Sequence, residues 1–315
     1  MVGTLFSYII RRLLVLLPVL FLVSILVFGM SHISSTDPAL VMVGGKQTSP
    51  EVLENIREKY HLNDPVWKQY MIWIGNAVQG DLGESFKMKQ SVSGMIADRL
   101  PLTLQLVGMS ALFTIILAIP LGILAAVKKN TWVDYLTSLI SLGGVSSPVF
   151  FTGVLLVLLF SYKLDILPAF GTGDSFMGNF KYLILPSMAL GLNMLALSSR
   201  ITRSGMIEVL NTNYIQTAIA KGIPKRVIIL KHAFKNALIP LLTVTGLQLG
   251  FLIVGTVLVE YTFGLGGIGS LIVNGVQASD YPVVQGTTLF MVTVFLLINL
   301  IVDLLYAVVD PRIRY

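Results

Sequence analysis

The stretch LTLQLVGMSALFTIILAIPLGILAAV, residues 102–127, contains no charged side chain and decides the fold class. A helix of roughly 17 to 25 apolar residues spans a hydrocarbon core, and backbone groups in lipid need hydrogen bonds within their own segment. Five further charge-free stretches of similar length flank it, at residues 13–31, 135–162, 182–199, 236–259 and 281–302. The sequence therefore predicts an all-α, polytopic membrane protein with six transmembrane helices.

The first of these stretches follows Arg11 and Arg12, a pattern that signal peptides share. Its apolar run is longer than a usual signal core, and no small-residue cleavage pattern follows Ser31. We therefore expect residues 1–35 to be a retained N-terminal transmembrane helix. The composition, 55% hydrophobic and 12% charged residues, fits a chain surrounded by lipid, since soluble domains carry about 25% charged residues.

Basic residues are distributed unevenly between alternate ends of the predicted helices. Cytoplasmic loops of membrane proteins are enriched in lysine and arginine. A cytoplasmic N-terminus puts 13 of the 22 basic residues on the inner face, namely Arg11, Arg12, Lys128, Lys129, Arg200, Arg203, Lys221, Lys225, Arg226, Lys231, Lys235, Arg312 and Arg314. This predicts that both termini are cytoplasmic, and it explains the isoelectric point near 9.4 without a nucleic acid partner. The absence of cysteine excludes disulfide bonds.

Residues 36–99 form the longest polar segment, which we expect to be an extracytoplasmic helical segment. Two parts of it, PEVLENIREKYHL and PVWKQYMIWIGNAVQ, have apolar residues three and four apart and begin at Pro50 and Pro65. They predict two amphipathic helices whose apolar faces suit the lipid interface or packing across the tops of the spanning helices, which favours a structural cap over a substrate site. A turn at residues 80–86 and a third short helix ending near Arg99 are predicted to follow.

Residues 100–315 then form a core of five transmembrane helices. The stretch at 135–162 contains Gly143, Gly144 and Pro148, which predict a break or kink near its middle. A flexible joint suits a moving transporter, but glycine and proline are also common in membrane helices. The sequence leaves these two interpretations open.

A basic insertion, NYIQTAIAKGIPKRVIILKHAFKNALIP, occupies residues 213–240 of the core. Asn213, followed three residues later by Gln216, predicts a capped helix start. Gly222 predicts the end of that helix, and Pro224 the first position of the next one. The first helix has only about two turns, whereas isolated helices need ~12 to 15 residues to persist in water. It must therefore pack against this chain or against a partner.

This insertion resembles the EAA loop of ABC-importer permeases, in the form found in the dipeptide, oligopeptide and nickel permease family. The matching positions are Tyr214, Thr217, Ala218, Ala220, Lys221, Gly222, His232, Ala233, Asn236, Ala237 and Pro240. DPVWKQY from Asp64, GDLGESF from Gly80, RLPLTL from Arg99 and NLIVDLLYAVVDPR from Asn299 are similar to the same family, so the resemblance covers nearly the whole chain. The chain departs from the family pattern at Asn213, Gln216 and Ile219, where the family has charged residues, and has STDPA at 35–39 in place of PGDPA.

The resemblance implies the type I ABC importer permease fold and a transport role without catalysis. It implies half of a translocation pathway for peptides, or alternatively for nickel and other metal chelates, in a bacterial or archaeal cytoplasmic membrane. The implied partners are a second homologous permease, two ATP-binding subunits that hold ATP and Mg, and an extracytoplasmic solute-binding protein; this chain itself would bind no cofactor. Residues 206–240 would form the coupling loop to the ATPases, with Tyr214, Gln216, Thr217, Ala218, Ala220, Lys221, Gly222 and Pro240 as its candidate residues.

The last predicted span carries Asn299, Asp303 and Tyr306 on one helical face. An ionisable residue within a span is a functional candidate. Asp303 lies within two turns of the cytoplasmic Asp310, which favours a structural polar contact over a proton relay. The main alternative function, a stand-alone secondary transporter, is disfavoured because the spans hold few ionisable groups and show no obvious inverted repeat of broken helices.

Three short motifs resemble enzyme signatures but lack the required context. GLGGIG at 264–269 has dinucleotide-binding spacing but follows a membrane helix, so it predicts a turn. GGK at 44–46 lacks the first glycine and the Ser or Thr of a phosphate-binding loop. GTGD at 171–174 has no second membrane aspartate with which to share a proton. With His32, His61 and His232 too dispersed for zinc, the sequence predicts neither a catalytic residue nor a metal site.

Overall fold

The computed structural model describes residues 2–33, 37–43 and 49–309, which are mostly helical. The helices are α1 (Val2–Ile33), α2 (Pro38–Met42), α3 (Pro50–Lys59), α4 (Val66–Val78), α5 (Val92–Val127), α6 (Trp132–Ser146), α7 (Val149–Leu156), α8 (Asn179–Leu210), α9 (Asn213–Ala220), α10 (Lys225–Val227), α11 (Phe234–Thr262), α12 (Ile268–Gln277) and α13 (Tyr281–Val309). Within these ranges there is no strand, only an isolated bridge between Glu84 and Ser91. The GGK motif at 44–46, residues 35 and 36 of the STDPA stretch, and the basic residues at 312 and 314 lie outside the described residues.

Five helical segments are long and apolar enough to cross a membrane: Arg11–His32, Val92–Val127, Asn179–Leu210, Val244–Thr262 and Tyr281–Leu304. The sixth predicted span is a bent pair of helices, Trp132–Gly144 and Val149–Lys163, at 111° to each other. The bend lies at the predicted break, because Ser147 is extended and Pro148 cannot continue the hydrogen bonding of a helix. Five of the six predicted spans are therefore continuous helices, and the sixth predicted stretch is a helix pair with a sharp bend.

Helix α5 begins earlier than the sequence predicts. The structure has one continuous helix from Val92, so the prediction of a separate short helix ending near Arg99 is wrong. Ser91 caps this helix, since its Oγ accepts a hydrogen bond from the Gly94 amide at 3.2 Å. Asp98 and Arg99 lie inside the helix, between its first residue, Val92, and the start of the charge-free stretch at residue 102. A charge-free window detects only the part of a helix that suits lipid.

Helix α5 packs closely along α8 through small residues. A Cβ added to Gly122 would lie 2.7 Å from the Ser199 carbonyl oxygen, so only glycine fits there. On the facing helix, the Gly191 carbonyl accepts a hydrogen bond from Thr114 Oγ1 at 3.0 Å. Lipid supplies no hydrophobic force between helices, so membrane helices associate mainly through close packing. Small residues permit this packing because they let the two backbones approach. This pair forms the centre of the bundle.

The two ends of the bundle differ in charge. One end, here called the basic end, carries Lys128, Lys129 and the insertion that contains α9. At this end the Arg203 guanidinium of α8 donates to the buried Asp134 carboxylate of α6, with Nη2 to Oδ2 at 2.8 Å. The other end, here called the segment end, carries residues 37–43 and 49–91. The ion pair anchors the first half of the broken span to the centre of the bundle.

Helices α3 and α4 at the segment end confirm the two predicted amphipathic helices. Pro50 is the first residue of α3, and Pro65 directly precedes α4. The short α2 adds a third element, which Asp37 caps by accepting from the Ala39 amide at 2.9 Å. Asp37 also accepts from Arg57 Nη2 at 2.8 Å, and this hydrogen bond lowers the pKa of Asp37. The same carboxylate thus joins α2 to α3.

A second buried carboxylate fastens the segment end to the last span. Asp280, directly before α13, accepts from Ser85 Oγ at 2.6 Å and from the amides of Phe86 and Lys87 at 3.0 and 3.2 Å. The predicted turn at 80–86 is present, with Gly80 and Gly83 at φ of +89° and +91°. Asp280 therefore holds this turn against the start of α13.

Candidate functional site

The coupling loop of residues 206–240 begins in the last turns of α8, which ends at Leu210, and Thr212 directly precedes the next helix. Thr212 is extended, with φ −76° and ψ 152°, and α9 starts at Asn213. The prediction that Asn213 and Gln216 form a capping box is wrong, because Asn213 is already the first helical residue. The Thr212 hydroxyl donates to the Val209 carbonyl at 2.6 Å and gives no side-chain cap either. The start of α9 therefore depends on tertiary packing.

Gly222 ends α9 in the left-handed conformation, with φ +75°. The Gly222 amide donates to the Ile219 carbonyl at 2.9 Å, and the Ile223 amide donates to the Ala218 carbonyl at 3.2 Å. These two bonds form a Schellman motif, which satisfies the carbonyls left open at a helix end. The corner predicted at Gly222 is thus present.

The second helix of the insertion runs without interruption into a membrane span. Pro224 precedes its first helical residue, Lys225, so the prediction that Pro224 is the first residue is one position too early. After α10 the backbone is π-helical over Ile228–Ala233 and then continues as α11. π-Helical turns inside α-helices often occur at functional sites. The corner at Gly222 is therefore connected directly to the spanning part of α11.

One side chain of α9 is fully buried and holds the helix to the bundle. Ile215 has no exposed surface and packs with Met206, Ile228, Ala233 and Ala237. These residues come from α8 and from the helix after the corner. The spacing of α9 did not single out Ile215 in the sequence, because the helix is too short to show a periodic apolar face.

Tyr214 bonds to the same following helix. Its hydroxyl accepts from Asn236 Nδ2 at 2.7 Å and donates to the His232 carbonyl at 3.4 Å. Asn236 Nδ2 also donates to the His232 carbonyl, at 3.1 Å. The ring remains 45% exposed. Tyr214 thus braces the two sides of the corner while keeping a face open to solvent.

The other candidate coupling residues lie mainly on the surface. Gln216, Thr217, Ala220, Lys221 and Gly222 are exposed, and Ala218 is half-buried beside Ile215. Ile219, where the family resemblance would have a charged residue, is 54% exposed. Pro240 lies within α11, but its side chain is outside the described residues. The structure thus brings most of the predicted residues onto one short exposed helix and its corner.

The three polar residues predicted to share one face of the last span do not form one cluster among the described side chains. Asp303 Oδ2 pairs with Arg12 Nη1 at 2.9 Å, which links α13 to α1. Asn299 Oδ1 is buried without a hydrogen-bond partner in the described part of the chain. Tyr306 lies in α13, but its side chain is outside the described residues. The pairing of Asp303 fits a structural polar contact.

Sequence reasoning missed a buried carboxylate at the segment end. Glu260 has no exposed surface; its Oε1 accepts from Thr103 Oγ1 at 2.6 Å and its Oε2 from the Ser270 amide at 3.2 Å. Thr103 Oγ1 in turn accepts from the Ile268 amide at 2.9 Å. Glu260 thereby orders the start of α12, a helix that the sequence analysis did not predict. The predicted turn at GLGGIG is present, with Gly264 at φ +62°.

Comparison with known proteins gives matches along almost all of the chain. The family of binding-protein-dependent transport system inner membrane components matches residues 118–315, and the N-terminal family of such membrane components matches residues 5–107. The glutathione transport system permease protein GsiC of Escherichia coli (strain K12) is 42% identical over 309 residues, covering 98% of this chain and 99% of the relative. The dipeptide transport system permease protein DppB of Alkalihalophilus pseudofirmus is 41% identical over 332 residues, with the same coverage of each chain.

Proposed function

Because the chain belongs to the family of binding-protein-dependent transport system inner membrane components, we propose that it is a permease subunit of an ATP-driven peptide importer. It forms half of the translocation pathway and pairs with a second, homologous permease. The relatives' names concern glutathione and a dipeptide, both short peptides. This supports a peptide as the cargo over a metal chelate.

Two ATP-binding subunits and an extracytoplasmic solute-binding protein complete the proposed assembly. ATP and Mg bind to the ATP-binding subunits, and this chain contributes no catalytic residue and no cofactor site. The basic end faces the cytoplasm, with both termini on that side, because most lysines and arginines are found there. The segment end then faces the binding protein.

The observation that supports the coupling role is that α9 packs against the bundle on one face and is exposed on the other. Ile215 holds the helix by its buried face, while Gln216, Thr217 and Lys221 remain exposed. A short helix that is held by one buried side chain can be displaced by a partner, and the Gly222 corner then passes this displacement to α11. Transmission between distant sites needs such a rigid element with two positions.

The absence of cysteine in the sequence makes a crosslinking test direct. A Gln216→Cys variant is co-reconstituted with the second permease and with ATP-binding subunits that carry single cysteines, and disulfide formation is measured. We expect crosslinks that change in yield when ATP is added. The matched control is Gln79→Cys, which is also exposed but lies at the segment end. Equal crosslinking from both positions would contradict the coupling role.

Transport itself is measured in proteoliposomes that contain the complete assembly and the binding protein. We expect uptake of a radiolabelled dipeptide to require ATP. Uptake that persists without ATP would instead favour a stand-alone secondary transporter. Uptake of a nickel chelate but of no peptide would overturn the proposed cargo.

A further inference from the structure

A cavity of about 590 Å³ lies at the segment end, away from the coupling helix. Here called the outer chamber, it is partly open to solvent and is lined by α1, the start of α2, the end of α3 with its connection to α4, α4 itself, the turn at 80–86 and the start of α13. Sites for small molecules are typically concavities of roughly 300 to 1,000 Å³ with apolar walls and a few polar groups. The outer chamber has this size, and neither the membrane spans nor the coupling role explains it.

Aromatic rings from four different parts of the chain form the chamber wall. Phe28 of α1 lies 5.6 Å from Trp73 of α4, and Tyr60 lies 6.1 Å from Phe86 of the turn, measured between ring centroids. Ring pairs at these separations pack favourably and keep their orientation. The wall is thus a formed apolar surface.

Among residues 2–33, 37–43 and 49–309, the chamber carries one buried polar atom without a hydrogen-bond partner and two exposed charged side chains that form no ion pair. The Trp73 Nε1 atom is buried and makes no hydrogen bond. Lys59 has no carboxylate partner, and its ammonium lies 5.4 Å from the centroid of the Tyr60 ring. The Glu84 carboxylate forms no ion pair or side-chain hydrogen bond. A buried N–H group without an acceptor costs free energy, so a ligand acceptor there would be favoured.

The chamber thus offers one hydrogen-bond donor, one cation and one anion beside an aromatic wall. A peptide with free ends carries the complementary set, a carboxylate, an ammonium group and side chains. A lipid acyl chain would cover the rings but would offer Trp73 Nε1 no acceptor, and it would displace water from Lys59 and Glu84 without replacing the hydrogen bonds of that water. The chemistry of the chamber therefore fits a small zwitterion better than a hydrocarbon chain.

We propose that the outer chamber binds a short peptide with free termini, whose carboxylate meets Trp73 Nε1 and Lys59 and whose ammonium group meets Glu84. The peptide side chains pack on the wall formed by Phe28, Tyr60, Trp73 and Phe86. This inference rests on the proposed function, because that function brings peptides to this face. The site is separate from the binding protein and belongs to the permease chain itself.

The test uses the full-length chain in lipid nanodiscs without any binding protein. Isothermal titration calorimetry measures binding of alanyl-phenylalanine and of the same dipeptide acetylated at its N-terminus and amidated at its C-terminus. We expect the free dipeptide to bind and the blocked one to bind at least roughly tenfold more weakly, the loss expected when hydrogen bonds to charged groups are removed. Equal binding of both would overturn the proposal.

Conservative variants locate the site. Trp73→Phe keeps a smaller aromatic ring and removes the N–H group, and Lys59→Gln and Glu84→Gln remove one charge each. We expect each to weaken binding of the free dipeptide by roughly tenfold. Trp67→Phe on the same helix is the control, because Trp67 is 69% exposed and does not line the chamber. Unchanged affinity in Trp73→Phe would overturn the proposal.

Two outcomes separate this proposal from the proposed function. If the complete assembly imports the dipeptide with ATP while the isolated chain binds none, the chamber proposal is wrong and the proposed function stands. If phosphatidylglycerol added to the nanodiscs displaces the dipeptide, and dipeptide binding is absent whenever that lipid is present, the chamber is a lipid site and the proposal is wrong. Binding by the chain without import by the assembly would leave the chamber in place and overturn the proposed function.

Discussion

The Tyr214 hydroxyl lies 2.7 Å from Asn236 Nδ2 and so joins α9 to the helix that becomes a membrane span. The two residues are on opposite sides of the Gly222 corner. This bond and the buried side chain of Ile215 are two of the contacts that fix the angle of the corner. A force applied to α9 therefore reaches α11 through both.

Removing this bond should weaken coupling more than it weakens folding. A net hydrogen bond contributes about 0.5–1.5 kcal/mol, so we expect Tyr214→Phe to leave the thermal midpoint nearly unchanged. The number of peptides transported per ATP hydrolysed should fall several-fold. Tyr162→Phe is the control, since Tyr162 is 81% exposed. A double-mutant cycle with Asn236→Ala should give a coupling energy near 1 kcal/mol; additive effects would show that the bond is not formed.

Substitutions at Gly222 test the corner itself. A Cβ at this position would meet no atom within 4 Å, so any penalty comes from φ +75° and not from a clash. We expect Gly222→Val to abolish coupled transport while the chain still inserts, because a β-branched residue disfavours the left-handed region by more than the ~1–2 kcal/mol of an ordinary residue. Gly222→Asn should retain most activity, because asparagine tolerates this region. Equal activity in both variants would argue against the corner.

Ile219 tests whether the exposed face of α9 accepts charge. The side chain is 54% exposed, so an arginine there can point into solvent without displacing the buried Ile215. We expect Ile219→Arg to retain ATP-dependent uptake within about twofold of wild type, because surface substitutions usually change stability by less than ~0.5 kcal/mol. Ile215→Arg is the matched comparison and should prevent α9 from docking. Similar uptake in the two variants would contradict the burial pattern.

The spans and the corner could be predicted because their signals are local. Charge-free runs reveal membrane helices wherever they occur, and a glycine followed closely by a proline marks a helix end within a few residues. The break before Pro148 follows from the same local chemistry. Such features need no knowledge of which segments meet in space.

The rest depends on contacts between residues that are distant in the sequence. Glu260 is buried because Thr103, on another helix, offers it a hydroxyl group. Asp280 is buried because the turn around Ser85 offers it amide groups. Asn213 has a side chain that commonly caps helices, but the extended residue that precedes α9 is Thr212. Propensity at a helix end is a weak signal where tertiary packing decides the boundary.

Substitutions in the ion pair between Arg12 and Asp303 distinguish a structural role of Asp303 from a role in a proton relay. The two atoms are 2.9 Å apart and the side chains are 45% and 25% exposed, so the pair is partly screened by solvent. We expect Asp303→Asn to lower the thermal midpoint slightly and to leave the pH profile of uptake unchanged. The exchanged pair Arg12→Asp with Asp303→Arg should restore stability. A shifted pH profile in Asp303→Asn would instead indicate a titrating group in the transport cycle.

Glu260 should be sensitive to truncation, because it is buried and accepts hydrogen bonds from two different parts of the chain. Glu260→Ala leaves Thr103 Oγ1 and the Ser270 amide without their acceptor in a buried site, which should destabilise the protein by about 3 kcal/mol. Glu260→Gln keeps the volume and one acceptor oxygen, so it should lie between Glu260→Ala and wild type. The measurement is the thermal midpoint in detergent together with hydrogen exchange of the α12 amides.

Helix α12 should respond first to these changes. Its start is ordered by Glu260 directly at Ser270 and through Thr103 at Ile268. We therefore expect α12 amides to exchange faster in Glu260→Ala, while amides of α9, at the basic end, keep their protection. Glu51→Ala, on the exposed surface of α3, is the control and should change neither. Uniformly faster exchange along the whole chain would mean that Glu260 supports the entire bundle and not α12 in particular.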